Sequence, residues 1–158
     1  DYQPGSFNMQ RVEFMEYFHD VYEQAEFLAR KKDIDLIYET GTLSGEMYIK
    51  ADSLHLRRLF FNLIDNAIKF TPRKGKIKLA LVKEKSALKA SVSDTGEGIP
   101  PEKLPKIFDR FYRANDRVVG SGLGLSIAYS IAKLHNAKLD VQSELGQGTT
   151  FSVLIPIV

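Results

Sequence analysis

The chain has 158 residues, a net charge of +2 at pH 7 and no cysteine. Hydrophobic residues make up 44% and charged residues 27% of it, which is typical of a folded globular domain and excludes a disordered chain. The lack of cysteine excludes disulfides and thiolate metal sites, and the small net charge gives no reason to expect nucleic-acid binding. No apolar run reaches the ~20 residues of a membrane span. We therefore expect a cytoplasmic domain without membrane contact.

Apolar residues that recur every three or four positions predict a first amphipathic helix. They are Val12, Met15, Phe18, Val21, Ala25 and Leu28. Two short strands, IDLIYE and EMYIKA, are predicted on either side of the turn residues TGTLSG. A second helix follows Asp52 and Ser53, either of which can cap it, and it ends before Pro72.

The C-terminal half begins with a predicted hairpin. GKIKLALVK and ALKASVS alternate apolar and polar residues around a turn from Glu84 to Ser86. A long segment rich in Gly, Pro and charged residues follows, and a loop of that length in a compact domain is usually functional. The chain closes with a helix, LGLSIAYSIAKLHN, and two strands, AKLDVQSE and TTFSVLIPIV, separated by LGQG.

This order of elements predicts an α/β sandwich, with helices on one face of a mixed sheet. The sequence begins DYQPGSF, with neither an initiator Met nor a signal peptide. We therefore expect a single domain, residues 1–158, cut from a longer protein.

Two asparagines, Asn62 and Asn66, lie four residues apart in the apolar stretch FFNLIDNAIKF, with Lys69 on the same stripe. A buried amide without a partner costs about 1 to 3 kcal/mol, so a partner is expected. Amide oxygens are hard ligands suited to Mg²⁺, and a lysine can meet a phosphate. Taken alone, the pattern fits equally well two buried amides that bond to neighbouring backbone.

Three glycine motifs follow the asparagine helix. In SVSDTGEGIP, the Asp94 carboxylate can accept a hydrogen bond from an exocyclic amine, while Gly96 and Gly98 let the backbone approach a flat ring. GSGLGLS places three alternate glycines directly before a helix, where free N–H groups suit phosphates. GQGTTF, taken alone, is a hairpin turn. Each motif is weak or moderate by itself, and their order is the specific signal.

The ordered motifs resemble the ATP-binding catalytic domain of bacterial two-component sensor histidine kinases, in the superfamily that includes gyrase, Hsp90 and MutL. FFNLIDNAIKFTP is similar to their N box, DTGEGIP, GSGLGLS and GQGTTF to the three glycine boxes, and KIFDRFYR to the F box. The resemblance covers essentially the whole chain. It implies the Bergerat fold: a two-layer α/β sandwich whose mixed, mostly antiparallel sheet is covered on one face by about three helices. It also implies a long ATP lid, from about Pro101 to Ser121.

The resemblance implies roles at the metal and the phosphates. Asn66 is similar to the Mg²⁺ ligand, and Asn62 to its supporting neighbour at the metal. Lys69 would reach a phosphate, and Arg113 looks like the lid arginine that meets the γ-phosphate. Asn62, Lys69 and Arg113 would thus be the catalytic residues. The glycine-rich residues at the phosphates would be Gly120, Ser121, Gly122, Leu123, Gly124 and Leu125.

The resemblance also implies how the base is bound. Asp94 would recognise the adenine amino group, and Thr149 would assist through a water. Phe70 would form the aromatic wall of the nucleotide site. The loop residues Gly96, Gly98 and Ile99 would lie along the base.

Asn62 also indicates which reaction the domain catalyses, ATP hydrolysis or phosphoryl transfer. In the ATPases of the superfamily and its serine kinases, the position four before the metal asparagine is a glutamate that acts as general base. An amide cannot accept a proton at neutral pH, which disfavours a clamp-type ATPase and fits a histidine kinase. We therefore expect this chain to bind ATP and Mg²⁺ and to transfer the γ-phosphoryl group to a histidine of its parent kinase. The alternative is a nucleotide-binding or scaffolding module of a degenerate kinase without phosphotransfer.

None of the three histidines fits the phosphoacceptor. His19 lacks the proline expected shortly after it, and His55 and His135 are expected to be structural, with His135 cationic at a helix end. We expect the acceptor on a dimerisation domain upstream of Asp1, and a response regulator as an indirect partner. The fragment itself is expected to be monomeric and cytoplasmic, whether or not the parent is anchored in the inner membrane. Phe108 and Phe111 are expected to fix the lid to the body or to the missing helical domain.

Overall fold

The main sheet is built from segments whose alternate residues are apolar. A computed structural model describes residues 5–112 and 123–158. In spatial order the five strands are β2 (Asp35–Glu39), β4 (Lys76–Glu84), β5 (Ala87–Asp94), β7 (Gly148–Pro156) and β6 (Lys138–Glu144). β2 runs parallel to β4 and the other pairs in this sheet are antiparallel, which confirms the mixed, mostly antiparallel sheet. A separate antiparallel pair is formed by β1 (Gln10–Glu13) and β3 (Tyr48–Ala51).

Three helices form the second layer: α1 (Phe14–Lys31), α2 (Ser53–Phe70) and α3 (Gly124–Leu134). Helix α1 contacts β2 of the sheet, α2 contacts β5, and α3 contacts β6. A short 3₁₀ turn (Leu104–Lys106) lies in the loop after β5. The core between the layers contains a cluster of fully buried aromatic rings, with Phe18 and Phe60 centroids 5.4 Å apart. The predicted two-layer α/β sandwich is thus confirmed. In the parts of the chain described here, no helix is long and apolar enough to cross a membrane.

Helix α2 begins and ends where the sequence predicts. Asp52 is its N-cap, because its Oδ1 accepts a hydrogen bond from the His55 N–H at 3.1 Å, and the helix ends at Phe70, before Pro72. One side of α2 is fully buried in the core. Asn62 and Asn66 lie on the half-buried side of the helix, which disfavours the alternative of two amides buried in the core.

The N-terminal elements differ from the prediction. Val12 belongs to β1 rather than to the first helix, since α1 starts at Phe14 with Glu13 as its N-cap. The Glu13 carboxylate accepts hydrogen bonds from the Met15 and Glu16 N–H groups, at 2.9 and 3.2 Å. Glutamate is not among the preferred N-cap residues, and Val12 fits the helical spacing by coincidence.

The two predicted strands around TGTLSG exist but do not pair with each other. β2 pairs with β4 in the main sheet, whereas β3 pairs with β1 in the small one. Both pairings join segments that are distant in sequence, and periodicity within a segment does not indicate its partner.

A polar network joins the N-terminus of α2 to the C-terminus of α3. Asp52 is 7% exposed, and its Oδ2 accepts a hydrogen bond from the Asn8 N–H at 2.7 Å. The His135 ring is 3% exposed; its Nε2 accepts from the Asp52 N–H at 3.0 Å, and its Nδ1 lies 2.8 Å from the Ile131 carbonyl oxygen. A nitrogen that accepts carries no proton, so His135 is a neutral imidazole with its proton on Nδ1. The expected cationic His135 is therefore wrong.

The Asp52→Ala variant is expected to lose about 1 to 3 kcal/mol of unfolding free energy at neutral pH, because the helix cap and the bond from Asn8 disappear. Burial acts to raise the pKa of Asp52, but hydrogen bonds from Asn8 and His55 lower it to about 2 from an ordinary 3.8. A lowered pKa means that this stabilisation is present above the ordinary value and is lost as the pH falls towards about 2.

Denaturant unfolding of wild type and Asp52→Ala between neutral and acidic pH checks this expectation. Asp140→Ala is the matched control, since that carboxylate is exposed and forms a 3.8 Å ion pair with Lys138. The gap between wild type and Asp52→Ala should close on acidification. A gap that stays constant down to pH 2 would contradict the assignment of the stabilisation to the ionised carboxylate.

Candidate functional site

Four elements meet at the candidate site: the C-terminal half of α2, the end of β5 with the loop after it, the start of α3, and the β6–β7 turn. Asp94 at the end of β5 lies opposite Thr149 in the register of β5 with β7. Asn62 on α2 donates through Nδ2 to the Gly124 carbonyl oxygen at the start of α3, at 3.0 Å. The structure therefore brings Asn62 to Gly124 and Asp94 to Thr149, two pairs that come from separate sequence motifs.

The Asp94 carboxylate is held by backbone on one side only. It is 9% exposed, and its Oδ1 accepts hydrogen bonds from the Gly96 N–H at 2.9 Å and the Thr149 N–H at 3.3 Å. Burial raises the pKa of Asp94, and these two hydrogen bonds oppose that rise. Among the described residues no hydrogen bond to Oδ2 occurs, so that oxygen is available to accept one from a ligand.

The two glycines after Asp94 are required by packing on the protein itself. A Cβ on Gly96 would overlap the Phe70 carbonyl oxygen at the end of α2. Gly98 has φ +77°, and a Cβ there would overlap the Glu144 carbonyl oxygen. The sequence motif predicts a close approach of backbone to a ring, whereas the structure shows a close approach of this loop to α2 and to β6.

The predicted metal and phosphate residues lie along the exposed edge of α2. Asn66 is half-buried, and no hydrogen bond of its side chain to another described residue is present. The Lys69 ammonium lies 3.0 Å from an Asp65 carboxylate oxygen. No cluster of three His, Asp or Glu side chains suited to a metal occurs within residues 5–112 and 123–158. An ion at this edge would therefore be held by the Asn66 amide oxygen, water and ligand phosphates, a donor set that fits Mg²⁺.

A cleft of 480 Å³ opens between the end of α2 and the loop after β5. Three predicted site residues, Lys69, Phe70 and Gly96, are among those that line it. Lys32 also lines the cleft and was missed by sequence reasoning. Its ammonium donates to the carbonyl oxygens of Ile68 and Lys69, at 2.7 and 3.3 Å. It thereby satisfies carbonyls in the last turn of α2, and no sequence pattern indicates that contact.

Ser143 is a second residue that sequence reasoning missed. Its hydroxyl accepts a hydrogen bond from the Ile99 N–H at 2.8 Å and lies 2.8 Å from the Thr149 hydroxyl. It thus connects the loop after Asp94 with β7. The predicted residues Leu123 and Leu125 are half-buried on either side of Gly124 at the start of α3. Arg113, Gly120, Ser121 and Gly122 lie outside the described residues.

The aromatic residues of KIFDRFYR differ in their contacts. Phe108 stacks on Tyr129 of α3 with centroids 5.3 Å apart and meets Phe151 of β7 edge-on at 6.1 Å. Its ring therefore fixes this part of the loop to the body of the domain, as one of the two expected arrangements requires. Phe111 is 62% exposed, with the Arg110 guanidinium 5.1 Å from its ring centre.

The chain is similar in sequence to kinases and ATPases. The sequence model of the family described as "Histidine kinase-, DNA gyrase B-, and HSP90-like ATPase" matches residues 51–158. Sensor histidine kinase RppB of Synechocystis sp. is 40% identical over 142 residues, which are 87% of this chain and 31% of RppB. The chain thus spans about a third of the length of this curated relative.

Solved structures of histidine kinases have the same fold. The nucleotide-free catalytic domain of histidine kinase ThkA has a TM-score of 0.82 and 31% identity, covering 94% of this chain and 95% of that one. ThkA has also been solved in complex with the response regulator protein TrrA. Full-length ShkA in complex with AMPPNP has a TM-score of 0.83 and 28% identity, covering 97% of this chain and 32% of that one.

Proposed function

This chain belongs to the histidine kinase-, DNA gyrase B- and HSP90-like ATPase family, as an ATP-binding histidine kinase catalytic domain of two-component signalling, and we propose that it binds ATP with Mg²⁺ and transfers the γ-phosphoryl group to a histidine. In that step a ring nitrogen of the acceptor forms a bond to the γ-phosphorus while the bond to the β-phosphate oxygen breaks and ADP leaves. The observation that carries this proposal is the Asp94 carboxylate, with one oxygen fixed by backbone and the other available at the site.

Asp94 would hold the adenine base of the nucleotide. Its Oδ2 accepts a hydrogen bond from the exocyclic amine of adenine, with Gly98 and Ile99 along the ring and Phe70 as an aromatic wall of the nucleotide site. Thr149, directly opposite Asp94, assists through a water. The rigid backbone bonds to Oδ1 orient the carboxylate before the ligand arrives, which lowers the entropic cost of binding.

The phosphates extend from the base towards the start of α3. The amides around Gly124 meet them there, since the first N–H groups of a helix have no partner within the helix. Asn66 would hold Mg²⁺ together with water and phosphate oxygens, and the ion would supply charge neutralisation during transfer. Lys69 is exposed and can exchange its ion pair with Asp65 for a phosphate oxygen. Arg113 is proposed at the γ-phosphate.

Asn62 supports a kinase rather than a clamp-type ATPase. Its amide donates to the Gly124 carbonyl oxygen and so ties α2 to the start of α3. It offers no base that could take a proton from an attacking water. An imidazole nucleophile carries its own lone pair, so transfer to histidine needs positioning and charge neutralisation rather than a base.

The acceptor histidine is proposed to lie outside this chain, on a dimerisation domain upstream of it, with a response regulator as the next partner. His135 and His55 are engaged in the Asp52 network. His19 lies on α1, with its ring beside those of Tyr22 and Tyr38. A kinase-related scaffold that binds nucleotide without transfer is the alternative, and a phosphorylation assay on the full parent separates the two.

The Asn66→Ala variant is expected to lose the gain in nucleotide affinity that Mg²⁺ confers. Titration calorimetry of this chain with AMPPNP, with and without Mg²⁺, measures that gain. We expect Mg²⁺ to strengthen binding to wild type by at least about tenfold, and to have almost no effect on the variant, because the amide oxygen that would hold the ion is absent.

Gln142→Ala is the matched control, because it removes an exposed amide on β6 that lies opposite Thr150, on the face of the sheet away from Thr149. Its Mg²⁺ dependence should equal that of wild type. Equal Mg²⁺ dependence in Asn66→Ala would remove Asn66 from the metal site. No AMPPNP binding by wild type would contradict the proposal for this chain as a whole.

A further inference from the structure

Ser143 lies at the junction of the two motifs that are proposed to bind the base. It is on β6, directly opposite Thr149 in the register with β7, and Thr149 in turn lies opposite Asp94 in the register with β5. The Ser143 Oγ is 2.8 Å from the Ile99 nitrogen, 3.0 Å from the Gly148 carbonyl oxygen and 2.8 Å from the Thr149 Oγ1. One hydroxyl therefore makes three polar contacts.

When all three contacts are hydrogen bonds at once, counting protons leaves one set of directions for them. The Ile99 N–H can only donate, and the Gly148 carbonyl oxygen can only accept. A serine hydroxyl has one proton, so Ser143 donates that proton to Gly148. The contact with Thr149 then needs the proton of Thr149, which leaves the Thr149 oxygen with lone pairs alone towards the site.

The neighbouring Asp94 carboxylate also presents a hydrogen-bond acceptor. Asp94 Oδ1 is occupied by two backbone N–H groups, and Oδ2 is an acceptor. Thr149 and Asp94 thus present two acceptors side by side. This pair of acceptors fits a base with an exocyclic amine, or a water that donates to Thr149. It repels a base that has a carbonyl oxygen at the same position, because two acceptors would then face each other.

The same serine also holds the glycine that lies along the base. Gly98 is flanked by two hydrogen bonds to the β6–β7 region: the Ile99 N–H donates to Ser143, and the Gly146 N–H donates to the Glu97 carbonyl oxygen at 2.7 Å. Without the serine hydroxyl, the Ile99 N–H loses its partner and one of these two attachments is absent.

We propose that Ser143 is a positioning residue for the base: it holds Gly98 in place and makes Thr149 an obligate hydrogen-bond acceptor, and through Thr149 it makes the site select a 6-amino purine over a 6-oxo purine. This inference rests on the proposed nucleotide binding and deepens it. Ser143 does not touch the base itself and acts through Thr149 and Ile99.

Titration calorimetry with ADP and with inosine diphosphate tests the proposal, because these ligands differ only at the 6-position and the adjacent ring nitrogen. Wild type should prefer ADP. Ser143→Ala should bind ADP about tenfold more weakly, and its preference for ADP should fall several-fold, because the freed Thr149 hydroxyl can then donate to a carbonyl. Ser143→Thr, which keeps a hydroxyl, should retain the preference.

Ser152→Ala is the matched control, since it removes a hydroxyl from β7 that lies 3.3 Å from the Ser91 hydroxyl, on the face of the sheet away from Thr149. Both affinities should be unchanged in it. Thr149→Val provides a second measurement: adding Ser143→Ala to that variant should not change the ADP preference further.

A purely structural role for Ser143 would weaken ADP and inosine diphosphate equally. An unchanged preference in Ser143→Ala, with wild type binding ADP, would therefore overturn this inference alone. An additional loss of preference in the Thr149→Val background would overturn the route through Thr149. Absence of ADP binding by wild type would instead overturn the proposed function.

Discussion

The Asp94→Asn variant is expected to bind AMPPNP more than about a hundredfold more weakly than wild type, a loss of about 3 kcal/mol. The reason is the direction in which the new amide must point. The Gly96 and Thr149 N–H groups both donate to Oδ1, so an asparagine keeps its oxygen there and places its NH₂ group where Oδ2 was. That donor then faces the donor of the adenine amine. Titration calorimetry measures the loss.

The unfolding free energy of Asp94→Asn is the internal control. Because the hydrogen bonds at Oδ1 survive the substitution, stability should change by no more than about 1 kcal/mol. Wild-type affinity in this variant would show that Asp94 does not accept a hydrogen bond from the ligand. A large loss of stability would attribute any loss of binding to the fold instead.

The pH dependence of wild-type binding follows from the same carboxylate. Since burial raises the pKa of Asp94, the protonated form should appear, and ligand affinity should fall, at a higher pH than the ordinary 3.8 of an aspartate. The contribution of Asp94 to the free energy of unfolding changes with pH in the opposite direction. A raised folded-state pKa gives a stabilising contribution below the ordinary value that is lost as the pH rises through the raised one.

The Gly148→Ala variant is expected to lose more than about 3 kcal/mol of unfolding free energy. Gly148 has φ +129°, and a Cβ there would overlap the Asp94 carbonyl oxygen on the adjacent strand. The obstacle is backbone in the centre of the sheet, so relief requires β5 and β7 to separate where Asp94 lies opposite Thr149. Denaturant unfolding measures the loss.

Gly146→Ala is the matched control in the same turn. Gly146 also has positive φ, +83°, but a Cβ there would meet no atom within 4 Å. That variant should lose only the conformational energy of a left-handed residue, about 1 to 2 kcal/mol. Equal losses in the two alanine variants would mean that the overlap with Asp94 is relieved without consequence, which would contradict the expected strain.

Much of the fold follows from local signals. The cap at Asp52 and the stop at Pro72 bound α2 correctly, and alternation locates β4 and β5 with the turn between them. The errors concern the N-terminal part, where Val12 continues a helical spacing although it lies in a strand. Strand pairing was also not predictable, because the parallel neighbour of β2 comes after a whole helix in the sequence.

The candidate site was predictable in its motifs but not in its contacts. Asp94 and Thr149 are neighbours only because β5 pairs with β7, which no local pattern indicates. Lys32 and Ser143 carry no motif of their own, and each acts through bonds to backbone or to another motif. The role of Asn62 as a donor to Gly124 likewise depends on where α3 begins relative to α2.

The pairing of β5 with β7 also bears on how sequences of this kind can change in length. These adjacent strands are separated in the chain by everything from Thr95 to Gln147, yet Asp94 and Thr149 remain in register. The pairing of the two strands, and not the length of the chain between them, sets this register. A relative with a longer or shorter connection can therefore keep the same two base-binding residues side by side.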